Sequence, residues 1–216
     1  MIKNAVNIPW PIIGVVLLWG IYGLVYFADR QAFIAMVKKC SAEKFNNAEL
    51  ITNFTKFFKF HPLSPHKTDL IVKMIPSLVA EKRPIINWVR KINGKDIDVQ
   101  FPDALLFSYF VLQEKGYINE LNLLKNKTDK CFSDDSEFHK IKNCIFHSEL
   151  INVDEIDALN GTYSKGIAYF YTALNSYMLG NIEFGNIYAE KAVSLIPEKT
   201  MSDLVFGIRS SHEEAN

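Results

Sequence analysis

Four side chains able to ligate a metal lie in one short stretch, namely Cys131, His139, Cys144 and His147. Zinc sites use thiolates and imidazoles, but their ligands usually come in closely spaced pairs such as C-x-x-C. Here the spacing is irregular, with Cys144 and His147 three residues apart. The pattern favours two reduced cysteines in a helical core and predicts no metal site. A Cys131–Cys144 disulfide in an oxidising compartment stays open as an alternative, and so does a zinc site.

Signatures of covalent or nucleotide chemistry are missing from the sequence. It contains no G-x-S-x-G elbow, no P-loop and no dinucleotide-binding fingerprint. An acidic cluster of Asp134, Asp135 and Glu137 lies close to His139. Such clusters usually stabilise the start of a helix, here with Ser133 or Ser136 as its cap. We therefore predict no catalytic residue and no cofactor.

The charge balance argues against a nucleic-acid partner. Lys and Arg number 24, as do Asp and Glu, so the formal net charge is zero. Nucleic-acid binding depends mainly on neutralising phosphates, which requires a basic excess or a basic stripe. The 216 residues suffice for one domain, and a hydrophobic content of 49% predicts a substantial core.

An uncharged apolar segment spans residues 8–28, after a short tail of residues 1–7. About 21 residues of helix cross a hydrocarbon layer of roughly 30 Å. Aromatic residues near membrane interfaces anchor such helices, and those of this segment are Trp10, Trp19, Tyr22 and Tyr26. A cleaved signal peptide is a less suitable interpretation, because Tyr26 is bulky where a small residue is required before a cut after Ala28. We predict a transmembrane helix, continued by a juxtamembrane helix over residues 29–45.

The flanking charges predict which side of the membrane the rest of the chain occupies. Lys3 precedes the segment, whereas Arg30, Lys38, Lys39 and Lys44 follow it. The positive-inside rule then puts the C-terminal domain in the cytoplasm. A periplasmic domain is the alternative, and a Cys131–Cys144 disulfide would require it. The expected location is a bacterial inner membrane, with lipid as one partner.

The remainder, residues 46–208, has apolar residues three and four positions apart, which predicts helices. Pro76 is expected to kink or split one of them. A strand-like alternation at Ile97, Val99 and Phe101 is too short to change the class. The fold class predicted is all-α, a stack of helical hairpins behind the transmembrane helix, with residues 209–216 as a polar tail.

Residues 166–197 resemble a tetratricopeptide repeat, a helix–turn–helix unit of 34 residues. Tyr169 occupies the place of the first-helix aromatic. Small residues occur where the two helices of such a unit pack closely, at Ala173, Gly185 and Ala192. Gly180 lies at the turn, and Pro197 ends the unit. The segment departs from the family pattern at Thr172 and Ser176, where bulky apolar residues are preferred, and at Ala189, which replaces an aromatic.

The resemblance covers about a seventh of the chain and implies recognition of proteins, because repeats of this family bind peptides or subunits on a concave surface. The residues that it implies for partner binding are Tyr169, Thr172, Asn175 and Ser176. We expect a membrane-anchored helical adaptor, an accessory or assembly subunit that binds other membrane and soluble subunits. The alternatives are the regulatory N-terminal region of a longer membrane enzyme and a Cys/His metalloprotein.

Overall fold

The structure, a computed structural model, describes residues 10–42, 46–62, 64–92, 101–129, 136–196 and 199–213. Within these ranges the chain forms helices and no strand, so the all-α class is confirmed. The helices are α1 (Trp10–Ala42), α2 (Asn47–Phe60), α3 (Lys67–Ala80), α4 (Ile86–Val89), α5 (Pro102–Glu114), α6 (Ile118–Thr128), α7 (Ser136–His147), α8 (Val153–Ala158), α9 (Thr162–Met178), α10 (Ile182–Leu195) and α11 (Lys199–Glu213).

Helix α1 is long and apolar enough to cross a membrane. An 18-residue window within its stretch from Trp10 to Lys39 has a mean hydropathy of 2.0, and none of that window is buried in the described chain. A core helix of a soluble domain would be covered by its neighbours, so the window is not part of this core. Length and composition suit both a membrane-spanning helix and a signal sequence. The residues predicted as interface anchors, Trp10, Trp19, Tyr22 and Tyr26, are all exposed along it.

The second half of α1 contacts the domain through a buried carboxylate and an aromatic ring, and partly buried apolar side chains of α1 pack there as well. Asp29 is 6% exposed and accepts a hydrogen bond from Ser64 Oγ at 2.8 Å. His61 Nδ1 lies 3.0 Å from the other oxygen of the same carboxylate. Four residues further along α1, Phe33 is buried and stacks on the ring of His66 at 4.1 Å. These contacts fix the loop between α2 and α3 against α1.

The domain is built around α5, which is apolar on all sides. Every residue from Ala104 to Leu112 is buried, as expected for a helix surrounded by others. Helices α3, α6, α7 and α9 all pack on α5, while α2 packs on α3 and α10 on α9. Pro102 begins α5 at a position where its missing N–H costs no hydrogen bond.

Pro76 lies inside α3, which continues past it to Ala80. The predicted split of the helix at this proline is therefore wrong, and the kink stays a prediction. A proline inside a helix removes one hydrogen bond and costs roughly 3 kcal/mol. Eleven of the fourteen residues of α3 are buried, Pro76 among them. The packing of these residues offsets the lost hydrogen bond. The sequence around Pro76 does not indicate this packing, because it comes from other helices.

Helices α9 and α10 form an antiparallel hairpin. A Cβ at Gly166, near the start of α9, would contact Ile196 directly after α10, while one at Gly185 in the first turn of α10 would contact Tyr177 near the end of α9. The turn between them includes Gly180 with φ at +77°, a backbone conformation that glycine adopts without strain. The helical hairpin predicted for this segment is present, while its membership of a repeat family stays a prediction.

Candidate functional site on the α9–α10 hairpin

The start of α9 is held by two carboxylates from other helices. Asp103, in the first turn of α5, accepts hydrogen bonds from Ser164 N at 2.7 Å, Tyr163 N at 2.9 Å and Ser164 Oγ at 2.9 Å. Glu137 of α7 accepts from Gly161 N at 3.1 Å and Asn160 N at 3.2 Å. A helix N-terminus has unpaired N–H groups and a partial positive charge, and carboxylates satisfy both. The hairpin therefore has a fixed position on the core.

Three stacked rings connect the hairpin core to its surface, and we call them the aromatic ladder: Tyr169, Tyr188 and Phe184. The Tyr169 and Tyr188 centroids lie 6.0 Å apart with planes inclined by 20°. Tyr188 and Phe184 lie 6.3 Å apart at 23°. Tyr169 is 2% exposed, whereas Phe184 is 55% exposed. The ladder thus extends from a buried ring to an accessible one.

Two charged groups fix the buried end of the ladder. The Tyr169 hydroxyl donates to Asp157 Oδ1 at 2.6 Å, and Lys191 Nζ donates to the Tyr169 oxygen at 3.0 Å. The Lys191 ammonium also lies 4.6 Å from the centre of the Tyr169 ring, within reach of a cation–π contact. Burial, followed by the hydrogen bond to Asp157, raises the pKa of Tyr169. The hydrogen bond with Tyr169 raises the pKa of Lys191, so that this lysine stays charged at neutral pH.

The four residues predicted to bind a partner occupy different environments. Tyr169 is buried at the base of the ladder. Thr172 and Asn175 are half-buried, and Thr172 Oγ1 donates to Ala168 O at 2.9 Å. Ser176 is buried, and its hydroxyl donates to Thr172 O at 2.9 Å. Their role in binding stays a prediction. The packing residues Ala173, Gly185 and Ala192 are buried, whereas Pro197 lies outside the described residues.

Sequence reasoning missed a set of exposed apolar side chains on the same hairpin. Phe184 and Ile187 of α10 are 55% and 43% exposed. Met178, Leu179 and Ile182 surround the turn and are exposed as well. We call these five residues the hairpin patch. Single exposed apolar residues are ordinary, whereas larger contiguous groups of them are typical of interaction surfaces. The signal in the sequence that could have indicated this exposed apolar group was the absence of charge at these five positions.

The Cys/His stretch forms no metal cluster in the described chain. Cys144 is 1% exposed inside α7, while His139 and His147 are exposed. No group of three or more His, Cys, Asp and Glu able to hold a metal occurs among the described residues. Cys131 lies outside them, so the Cys131–Cys144 disulfide stays untested. Burial, then the charge of Glu149, raise the pKa of the Cys144 thiol from 9.0 to about 12. The thiol is therefore protonated at neutral pH and is a poor nucleophile.

The raised pKa of Cys144 predicts a loss of stability in alkali. The folded thiol keeps its proton while the unfolded thiol ionises above about pH 9, so the folded state binds more protons there and its stability falls as the pH rises. Between about pH 8 and pH 10, this group alone should lower the free energy of unfolding by roughly 1.4 kcal/mol. Urea unfolding of the full chain in non-ionic detergent measures it. The Cys144→Ala variant should lack this part of the loss, and an equal loss in both proteins would contradict the assignment.

Comparison with protein-family models, with curated proteins and with solved structures finds no match. The resemblance of residues 166–197 to a tetratricopeptide repeat is therefore carried by its own residues. The features that bear on function are α1, its contact with the domain at Asp29, and the α9–α10 hairpin.

Proposed function

We propose that the protein is a single-pass membrane adaptor, an accessory or assembly subunit that holds partner proteins through its repeat-like hairpin. The observation that carries the proposal is the contrast between the two halves of α1. The half before Asp29 is apolar and uncovered, whereas the half after it packs on the domain through Asp29 and Phe33. A helix of this kind attaches a folded domain to a bilayer.

The hairpin supplies the second part of the proposal. The hairpin patch leaves five large apolar side chains accessible on one helical hairpin of the domain. Aromatic residues in such patches dominate the affinity of protein interfaces, and Phe184 is supported from beneath by Tyr188 and Tyr169. We propose a protein subunit as the occupant. The positive residues after the apolar segment favour the cytoplasmic side of a bacterial inner membrane.

In-cell photo-cross-linking of the full chain tests both parts. A photoreactive residue at Ile187 should give covalent adducts of defined mass in the membrane fraction, because this side chain is exposed and belongs to the hairpin patch. The same residue at Glu155 is the matched control, since this position is also exposed but lies on α8, outside the patch. Mass spectrometry of the adducts identifies the partner.

Two outcomes would overturn separate parts of the proposal. A mature chain that lacks the apolar segment and is found in the soluble fraction would identify a cleaved signal sequence and remove the anchor. Adducts from Ile187 that are no more abundant than those from Glu155 would remove the hairpin patch as the binding surface, with the anchor unaffected.

A further inference from the structure

A basic cleft lies on the domain, away from the hairpin patch, where the ends of α3 and α5 meet α11. Its volume is about 510 Å3, and its lining includes Lys82, Arg83, Lys115, Tyr117 and Asp203. Three cations and one carboxylate thus share one concavity in a chain whose net charge is zero. The concentration of positive charge is local and does not follow from the overall composition.

Within the described residues, the three cations of the cleft are not paired with other side chains. In the described part of the chain, Lys82, Arg83 and Lys115 are exposed, and their side chains take part in no hydrogen bond or ion pair. Basic residues at the end of a helix often serve the unpaired carbonyl groups there. Lys82 and Arg83 follow α3 and Lys115 follows α5, so their side chains lie close enough to the helix ends to serve these carbonyl groups.

Backbone hydrogen bonds already satisfy these two helix ends. After α3, the N–H groups of Glu81, Lys82 and Arg83 donate to Ser77 O, Val79 O and Leu78 O at 2.8–3.0 Å. After α5, those of Lys115, Gly116 and Tyr117 donate to Val111 O, Gln113 O and Leu112 O at 2.9–3.1 Å. The left-handed residue that such an ending requires is Gly116 in one case and Lys82, with φ at +53°, in the other. The side chains are therefore free to bind something else.

The rest of the lining is apolar or aromatic. Ile85 and Val79 are 5% and 7% exposed at the cleft, and Tyr117 presents a ring that is 38% exposed. Small-molecule sites combine an apolar surface with a few convergent polar groups in volumes of about 300–1,000 Å3. A guanidinium such as that of Arg83 pairs with two oxygens of one planar or tetrahedral anion, and lysines add point charges.

We propose that this cleft binds a phosphate monoester that carries an apolar or aromatic group. Among the described lining residues, three cations exceed one carboxylate by two charges, and a phosphate monoester carries about −1.5 to −2 at pH 7. The phosphate lies among Lys82, Arg83 and Lys115, and the organic group lies on Ile85 and Tyr117. A soluble organic phosphate and the headgroup of phosphatidic acid share this chemistry.

Calorimetric titration of the full chain in non-ionic detergent, at constant ionic strength, tests the cleft with two probes, inorganic phosphate and phenyl phosphate. Phenyl phosphate should bind saturably with a Kd of about 1 mM or below, several-fold tighter than inorganic phosphate because only it covers the apolar wall. Arg83→Gln and Lys115→Gln should each raise the Kd roughly tenfold. Lys56→Gln, which removes an exposed cation of α2 outside the cleft, should leave the Kd unchanged. Circular dichroism confirms that the variants fold.

The absence of saturable binding up to about 20 mM phenyl phosphate, or an equal loss in Lys56→Gln, would overturn the proposal. A second arm separates the two sources of phosphate. The chain is placed in phosphatidylcholine nanodiscs with and without phosphatidic acid. Competition of phosphatidic acid with phenyl phosphate supports the cleft as a headgroup site, and undiminished phenyl phosphate binding supports it as a site for a soluble ligand.

Discussion

Replacement of Asp103 by alanine should lower the free energy of unfolding by about 3 kcal/mol. The carboxylate accepts three hydrogen bonds from Tyr163 and Ser164, two of them from backbone N–H groups at the start of α9. Hydrogen bonds to charged groups contribute roughly 1.5–3 kcal/mol, and donors left without an acceptor add a desolvation cost. The three bonds share one half-buried side chain, so their effects are not additive. Urea unfolding of the full chain in detergent, followed by circular dichroism, measures the loss.

Two variants show whether the loss comes from the contacts of Asp103. Asp103→Asn keeps a single acceptor oxygen and no charge, so we expect it to lose less than the alanine variant. Asp154→Ala removes a carboxylate from the first turn of α8, where Asn152 already caps the helix and the side chain is exposed. Its effect should stay below about 1 kcal/mol. If the aspartate-to-alanine changes at 103 and 154 have the same small effect, Asp103 does not hold α9.

The Gly185→Ala variant should destabilise the hairpin by roughly 1–3 kcal/mol through overpacking. A Cβ at this position would lie 2.6 Å from Tyr177 Cε1. The Tyr177 ring has little room to move, because its hydroxyl donates to Asn186 Oδ1 at 2.7 Å and accepts from Arg209 Nε at 3.1 Å. Thermal and urea unfolding of the full chain give the change in stability, and cross-linking from Ile187 should decrease with it.

Gly207→Ala provides a control of opposite sign. Gly207 lies inside α11 and is exposed, and a Cβ there would meet no described atom within 4 Å. Alanine in a helix interior is favoured over glycine by about 1 kcal/mol, so this variant should be more stable than the wild type. The close approach of Tyr177 explains the expected difference in sign. Stabilisation by both substitutions would show that the α9–α10 packing is looser than described.

Features with a local cause could be predicted from the sequence. The three- and four-residue spacing of apolar residues predicted the helices. Pro102 at the start of α5 and Asn152 at the start of α8, where its side chain accepts from Asp154 N, are local signals of the same kind. The helical hairpin near the C-terminus followed from small residues at regular positions, because close helix packing requires them at the contact. These are effects of residues on their own chain neighbourhood.

Features that depend on distant parts of the chain could not be predicted. Asp29 was expected to mark where the apolar run ends, and no nearby residue indicates that Ser64 and His61 would enclose it. The continuity of α3 past Pro76 depends on packing from other helices. The basic cleft combines residues from positions 82–83, 115–117 and 203, which no spacing rule connects. The exposure of Phe184 and Ile187 likewise depends on which helices cover α10.

Helix α1 is unbroken from Trp10 to Ala42. The orientation of the domain around the axis of α1 therefore depends on the number of residues in this helix. Each residue of an α-helix advances about 1.5 Å and turns the chain by about 100°. In the proposed anchor, one extra residue between Trp19 and Asp29 would swing the whole domain about a quarter-turn around the helix axis while barely lifting it. The hairpin patch would then face a different direction within the plane of the bilayer. In the proposed adaptor, the number of residues in the apolar segment before Asp29 therefore sets the direction from which a neighbouring subunit can approach.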